Sequence, residues 1–91
     1  MTERRVAEIR RRIEDALSPT DLEVIDDSHK HAGHAGARDG RGHFVVRVTS
    51  ARFAGLRPLQ RHKLVYEAVG DLMETDIHAL SIEASPPSNS A

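Results

Sequence analysis

The stretch that decides the fold runs from Arg52 to Leu80, RFAGLRPLQRHKLVYEAVGDLMETDIHAL. It predicts a turn, one long helix and the opening of a strand with a histidine near its entrance. Pro58 suits the first helical position, where its missing N–H is not needed and its φ is already helical. Steps of about 100° around the axis place Leu59, Leu64, Val65, Tyr66, Ala68, Val69, Leu72 and Met73 on a wide apolar arc. Gln60, Lys63, Glu67, Gly70, Asp71 and Glu74 fall opposite. Such a helix must be buried along most of one side, which makes it the core element. Two polar residues fall inside the arc. His62 is expected as a core or half-buried histidine bonded to backbone, and Arg61 as a border to the sheet edge or to a partner-facing groove.

Outward from that helix, the chain begins with another, from Thr2 or Glu3 to Leu17, striped by Val6, Ile9, Ile13, Ala16 and Leu17. Its outer face pairs Arg4 with Glu8, Glu8 with Arg12, Arg10 with Glu14 and Arg11 with Asp15, each worth about 0.2–0.5 kcal/mol. The interleaved acids make Arg10-Arg11-Arg12 a solvated face rather than a phosphate patch. Ser18-Pro19 stops the helix, because the residue before proline avoids the α region. Leu22 to Asp27 and Phe44 to Thr49 read as strands, with Phe44, Val46 and Val48 on one face of the second. The segment between them, 28–42, is polar and rich in glycine, and a connection this long is expected to be functional or mobile. Asp76 to Ala84 is the third strand, with His78, Leu80 and Ile82 in phase, and 85–91 reads as a disordered tail. The order α-β-β-α-β pairs the first two strands antiparallel and the second and third parallel through a right-handed crossover. The expected fold is α+β: one domain over 1–84, a three-stranded mixed sheet covered on one face by two helices.

Composition narrows the function. Thirteen basic and fourteen acidic side chains leave a formal charge of −1, a poor footprint for a dedicated nucleic-acid binder. Six histidines add positive charge below about pH 6.5. There is no cysteine, hence no disulfide and no thiolate ligand of the chain's own. No apolar run approaches the roughly 18–20 residues of a membrane span. The acids within the Arg-rich N-terminus argue against a transit peptide, so a cytoplasmic protein is expected.

The histidines carry the most chemistry. His29, His31 and His34 lie in the long connection, His43 at its exit and His78 at the mouth of the third strand. With the strand order above, connection and strand end meet at one rim. Neutral imidazole is a common metal ligand, and a mobile histidine could close onto a metal held by strand-borne His78. The plain alternative is that histidines in a glycine-rich loop are solvated spacers. A zinc or nickel store in that loop is a further option.

Taken in order, Asp26-Asp27-Ser28-His29-Lys30-His31, the strand from His43 to Ser50, Arg52-Phe53-Ala54-Gly55-Leu56, Leu59 to Tyr66 and Ile77-His78-Ala79-Leu80 resemble the signature of the BolA family. The resemblance implies a KH-like fold of the second class. It also implies a heterodimer with a monothiol glutaredoxin around a shared [2Fe–2S] cluster, none being expected in the isolated chain. The partner would supply a cysteine and a glutathione thiolate. On this side His78 matches the family's fixed histidine, and His31 best matches the loop ligand, with His29, His34 and His43 as alternates. Histidine in place of cysteine raises the cluster's potential and makes it sensitive to protonation. Arg57, Arg61, His62, Lys63 and Tyr66 would contribute the partner surface.

The competing reading is a DNA-binding transcriptional regulator using Arg57, Arg61 and Lys63 on phosphates. Lys63 lies roughly 160° around the helix from Arg61, so the cations form no single stripe and DNA binding should be weak. Gly33-His34-Ala35-Gly36 spells the KH backbone clamp but falls between two strands, where it reads as coincidence. An enzyme is not expected, nor a small-molecule substrate. No Gly-x-Ser-x-Gly or phosphate-cradling loop is present, and Asp26 and Asp27, adjacent on a strand, point to opposite faces.

Overall fold

The structure, a computed structural model, describes residues 2–28 and 42–87. Residues 29–41, which carry His29, His31, His34 and the Gly33-to-Gly36 spelling, lie outside the described residues, as does the tail beyond 87. The elements are α1 (Thr2–Leu17), β1 (Asp21–Asp26), β2 (Gly42–Thr49), a 3₁₀ turn (Ala51–Phe53), α2 (Pro58–Val69), α3 (Leu72–Thr75) and β3 (Ile77–Ser85). The sheet order is β1-β2-β3, antiparallel then parallel, as the topology argument requires. The ends of the expected loop belong to the sheet region: Gly42 opens β2, and Ser28 follows β1 closely. The third strand likewise runs on through Ser85.

The core is one apolar layer between the helices and one face of the sheet. Ile9, Ile13 and Leu17 of α1 meet Phe44, Val46 and Val48 of β2, with Phe53, Val65, Val69, Leu72 and Ile77 closing around them. Ala16 is exposed instead of completing the α1 stripe. The expected single long helix is two: Gly70 takes φ +55°, ends α2 through its N–H to the Tyr66 carbonyl, and α3 follows. Arg12 packs beside this break, its Nη1 donating to the Val69 carbonyl at 3.0 Å and to Asp71 at 2.7 Å. α1 is thereby tied to the end of α2, so this arginine does more than sit on a solvated face.

The apolar arc of α2 is wider than a three-stranded sheet can cover. Val65 and Val69 are buried, but Leu59 is 81% and Tyr66 42% exposed. Gln60 caps the helix start, its Oε1 accepting from the Arg57 N–H at 2.9 Å. Ser50, fully buried, locks the corner after β2: its hydroxyl donates to the Leu17 carbonyl at 2.6 Å and accepts from the Arg52 N–H at 3.1 Å.

The two sheet edges are each met by an arginine. Residues 22, 24 and 26 of β1 and 80, 82 and 84 of β3 alternate with those whose backbone groups bond to β2, so their carbonyls face outward. Arg10 donates to the Leu22 carbonyl at 3.1 Å and Arg61 to that of Ala84 at 3.4 Å. Charge placed at an edge discourages unwanted strand pairing. Arg61 thus borders the sheet, one of the two positions its sequence context suggested.

Candidate functional site

The sheet face away from the helices carries the site. Pairing sets its rows: Glu23, Arg47 and Glu83 lie side by side, then Ile25, Val45 and Ser81, then His43 beside Ala79. Arg47 donates to Glu23 at 3.3 Å and to Glu83 at 3.2 Å, which neutralises most of that end of the face. The histidine end lies about 13 Å away, four residues along β2 at about 3.3 Å each.

A register shift falls at that end. Gly42 pairs with Ile77, but His43 pairs with Ala79, leaving His78 as the extra residue of a bulge. A bulge sets two residues of one strand against one of the other and re-aims a side chain. Ile77 is therefore fully buried under the helices, whereas His78 leaves the row of Leu80, Ile82 and Ala84 and is exposed. This corrects the expected phase of His78 with Leu80 and Ile82. The two imidazoles, His43 and His78, stand with ring centroids 5.2 Å apart and planes tilted by 46°. The Nε2 of His43 is buried. His78 is thus the outward member of the pair and His43 the ring behind it.

The frame of the pair comes from the end of β1. Asp27 donates its N–H to the His43 carbonyl at 2.8 Å, and Ser28 Oγ accepts the His43 N–H at 3.0 Å. Asp26 Oδ1 accepts the Ser28 N–H at 2.7 Å, the local turn that short acidic side chains favour. Among the described residues, no group of three or more His, Asp or Glu side chains is placed to hold a metal ion. What the described part of the chain presents is one exposed imidazole braced by another.

On the far side of α2, Leu59, His62, Lys63, Tyr66 and Glu67 line a shallow, largely apolar groove. His62 is half-buried there, and Arg57 and Lys63 are exposed. Arg61 turns away from it, its Nε donating to the Leu56 carbonyl at 2.9 Å in addition to its bond at the sheet edge. Of the expected surface residues, His62, Lys63 and Tyr66 come together while Arg61 does not join them. The juxtaposition of His43 and His78 carried a signal in the sequence: parallel strands joined by a crossover start at the same rim, and each opens with a histidine. The bulge had one as well, since Ile77 and Leu80 are three apart, a spacing no regular strand puts on one face.

A family model described as BolA-like protein matches residues 13–89. The chain belongs to the BolA-like family. Among BolA-like relatives, the mouse BolA-like protein 1 is 47% identical over 81 residues, which cover 89% of this chain and 57% of that protein. The chain therefore spans little more than half the length of that relative. A Vibrio cholerae protein named DNA-binding transcriptional regulator BolA is 42% identical over 74 residues, covering 81% of this chain and 67% of its own. The structure of the BolA domain of SufE1 from Arabidopsis thaliana superposes with a TM-score of 0.80 at 40% identity, over 91% of this BolA-like chain and 92% of that one. The α+β architecture is thus that of solved BolA structures, and no helix among the described residues is long and apolar enough to cross a membrane.

Proposed function

We propose that this chain is a non-catalytic adaptor that pairs with a monothiol glutaredoxin and helps to ligate a [2Fe–2S] cluster between them, in iron–sulfur cluster maturation and trafficking or in iron regulation. The observation that carries the reading is the bulge that turns His78 out of the packed row and braces it against His43. An exposed imidazole held on a strand is a ligand with one position settled in advance, which lowers the ordering cost of binding. The chain has no cysteine, so its donors suit a cluster whose thiolates come from elsewhere. His78 is the proposed fixed ligand and His31 the proposed second, with His29 and His34 as its alternates. His43, with its Nε2 buried, supports the ring of His78 better than it could reach an iron. The groove of Leu59, His62, Lys63 and Tyr66 is the proposed partner surface, and the cytoplasm the proposed compartment.

The test is a titration of cluster-loaded monothiol glutaredoxin with this protein, followed by visible absorption and circular dichroism. Wild type should shift the bands of the cluster and form a mixed complex. His78→Ala should abolish the shift. No shift with wild type, or an unchanged shift with His78→Ala, would remove the reading.

A second reading is suggested by the Vibrio cholerae relative, which is named a DNA-binding transcriptional regulator. On this chain it would use Arg57 and Lys63, because both bonds of the Arg61 guanidinium go to backbone carbonyls. Phosphate contacts from these two cations alone would give only a shallow salt dependence. Sequence-selective binding tighter than about 10⁻⁸ M near physiological salt would promote this reading.

A further inference from the structure

His43 could not be placed by the ladder alone. It follows the register shift directly, where pairing to β3 is irregular, and it faces the end of β1, whose last paired residue is Asp26. Its two backbone groups are nevertheless both engaged. The carbonyl accepts from Asp27, and the N–H, lacking a strand carbonyl to meet, donates to the hydroxyl of Ser28 at 3.0 Å. A side chain thus replaces one rung of the sheet beneath the residue that braces His78.

Two neighbours make that replacement possible. Asp26 Oδ1 takes the Ser28 N–H at 2.7 Å and bends the chain so that the hydroxyl points back at β2. Gly42 leaves the space: a Cβ there would stand 2.8 Å from Ser28 Oγ and 2.8 Å from Cε2 of the Phe44 ring. Any other residue at 42 would have to displace the hydroxyl or the ring, and Phe44 is only 2% exposed. Asp26 and Gly42, at the ends of two strands, thus frame the Ser28 hydroxyl that accepts the His43 N–H.

We propose that Ser28 is the positioning residue of the His43–His78 pair: its hydroxyl, aimed by Asp26 and admitted by Gly42, fixes His43 so that His43 holds the exposed imidazole of His78 in a ligating pose. The role rests on the proposed function for its purpose, but its geometry belongs to the protein alone. Partners one shell out from a metal ligand typically alter affinity by about 10–100-fold. Ser28 acts through His43, one residue further still, so an effect near the lower end, roughly tenfold, is expected.

The experiment compares wild type, Ser28→Ala and Ser28→Thr, each checked for folding by its amide spectrum. The first readout uses the protein alone: the nuclear Overhauser contact between the rings of His43 and His78. The second is the titration with cluster-loaded monothiol glutaredoxin. Ser28→Ala should keep the fold, lose the ring contact and bind the cluster-loaded partner roughly tenfold more weakly. Ser28→Thr, which keeps the hydroxyl, should restore both. A ring contact unchanged in Ser28→Ala, or no rescue by threonine, overturns the positioning role. If the contact is lost and rescued while the cluster signal ignores both Ser28→Ala and His78→Ala, the positioning role is supported and the cluster function it would serve is removed.

Discussion

Gly42→Ala puts the packing at the site under the most direct stress. The new methyl would lie 2.8 Å from Ser28 Oγ and 2.8 and 2.9 Å from two carbons of the Phe44 ring. Real Cβ atoms do not approach that closely, so something must shift. The ring is buried between the sheet and the helices and has little freedom to yield. Forcing a methyl into a packed region costs about 1–3 kcal/mol. Displacing the hydroxyl forfeits the bond to the His43 N–H, about 0.5–1.5 kcal/mol. Against these stands the smaller entropy of the unfolded alanine chain, worth about 0.4–1 kcal/mol. The net destabilisation is about 2 kcal/mol, or roughly 10 °C in melting temperature for a domain of this size. Thermal unfolding followed by far-ultraviolet circular dichroism measures it. A Gly42→Ala protein melting within about a degree of wild type would refute the claim that this glycine is required by close approach.

Three further outcomes follow from the packing and the charges. Ser50→Ala strips the buried Leu17 carbonyl and the Arg52 N–H of a common partner; unfolding in urea should show a loss of about 1–3 kcal/mol. Ile13→Ala, at a fully buried position, should cost about 2–5 kcal/mol in the same assay, since the flanking β2 side chains cannot collapse fully into the space. Hydrogen bonds from Arg11, then Arg12, hold the Glu8 carboxyl down to about 2 from its ordinary 4.5. Its folded value being the lower, the stabilisation is present above about pH 4.5 and is lost as pH falls towards about 2. Melting temperature should therefore fall less steeply across that window in Glu8→Gln than in wild type, and high salt should narrow the difference.

The architecture was legible because its strongest signals are local and periodic. The α1 stripe, the alternation of Phe44, Val46 and Val48, and Pro58 at a helix start each depend on residues close in sequence, and the crossover rule then settled the sheet order. What the sequence concealed depends on contacts between distant residues. Gly70 breaks the long helix by its positive φ, and the Val69 carbonyl beside that break takes a hydrogen bond from Arg12, far away on α1. Leu59 and Tyr66 stay exposed because three strands offer too narrow a floor for the α2 arc. His78 left the expected row because one residue of bulge shifts every side chain that precedes it. Ser28 and Gly42 belonged to a segment that read as a loop, yet Ser28 Oγ accepts the His43 N–H and leaves no space for a Cβ at Gly42. The meeting of loop and strand end at one rim was readable from the crossover, whereas the packing of Ser28 against His43 was not.

The central claim is that the imidazole turned outward by the bulge binds iron. It is tested most directly by pulsed electron paramagnetic resonance of the reduced mixed complex, made with isotope-labelled histidine in this chain. The expected result is hyperfine coupling to two directly bound imidazole nitrogens, of which one is lost in His78→Ala and both persist in His43→Ala. A cluster signal without any such coupling, or one whose couplings are unchanged by the loss of His78, would contradict it.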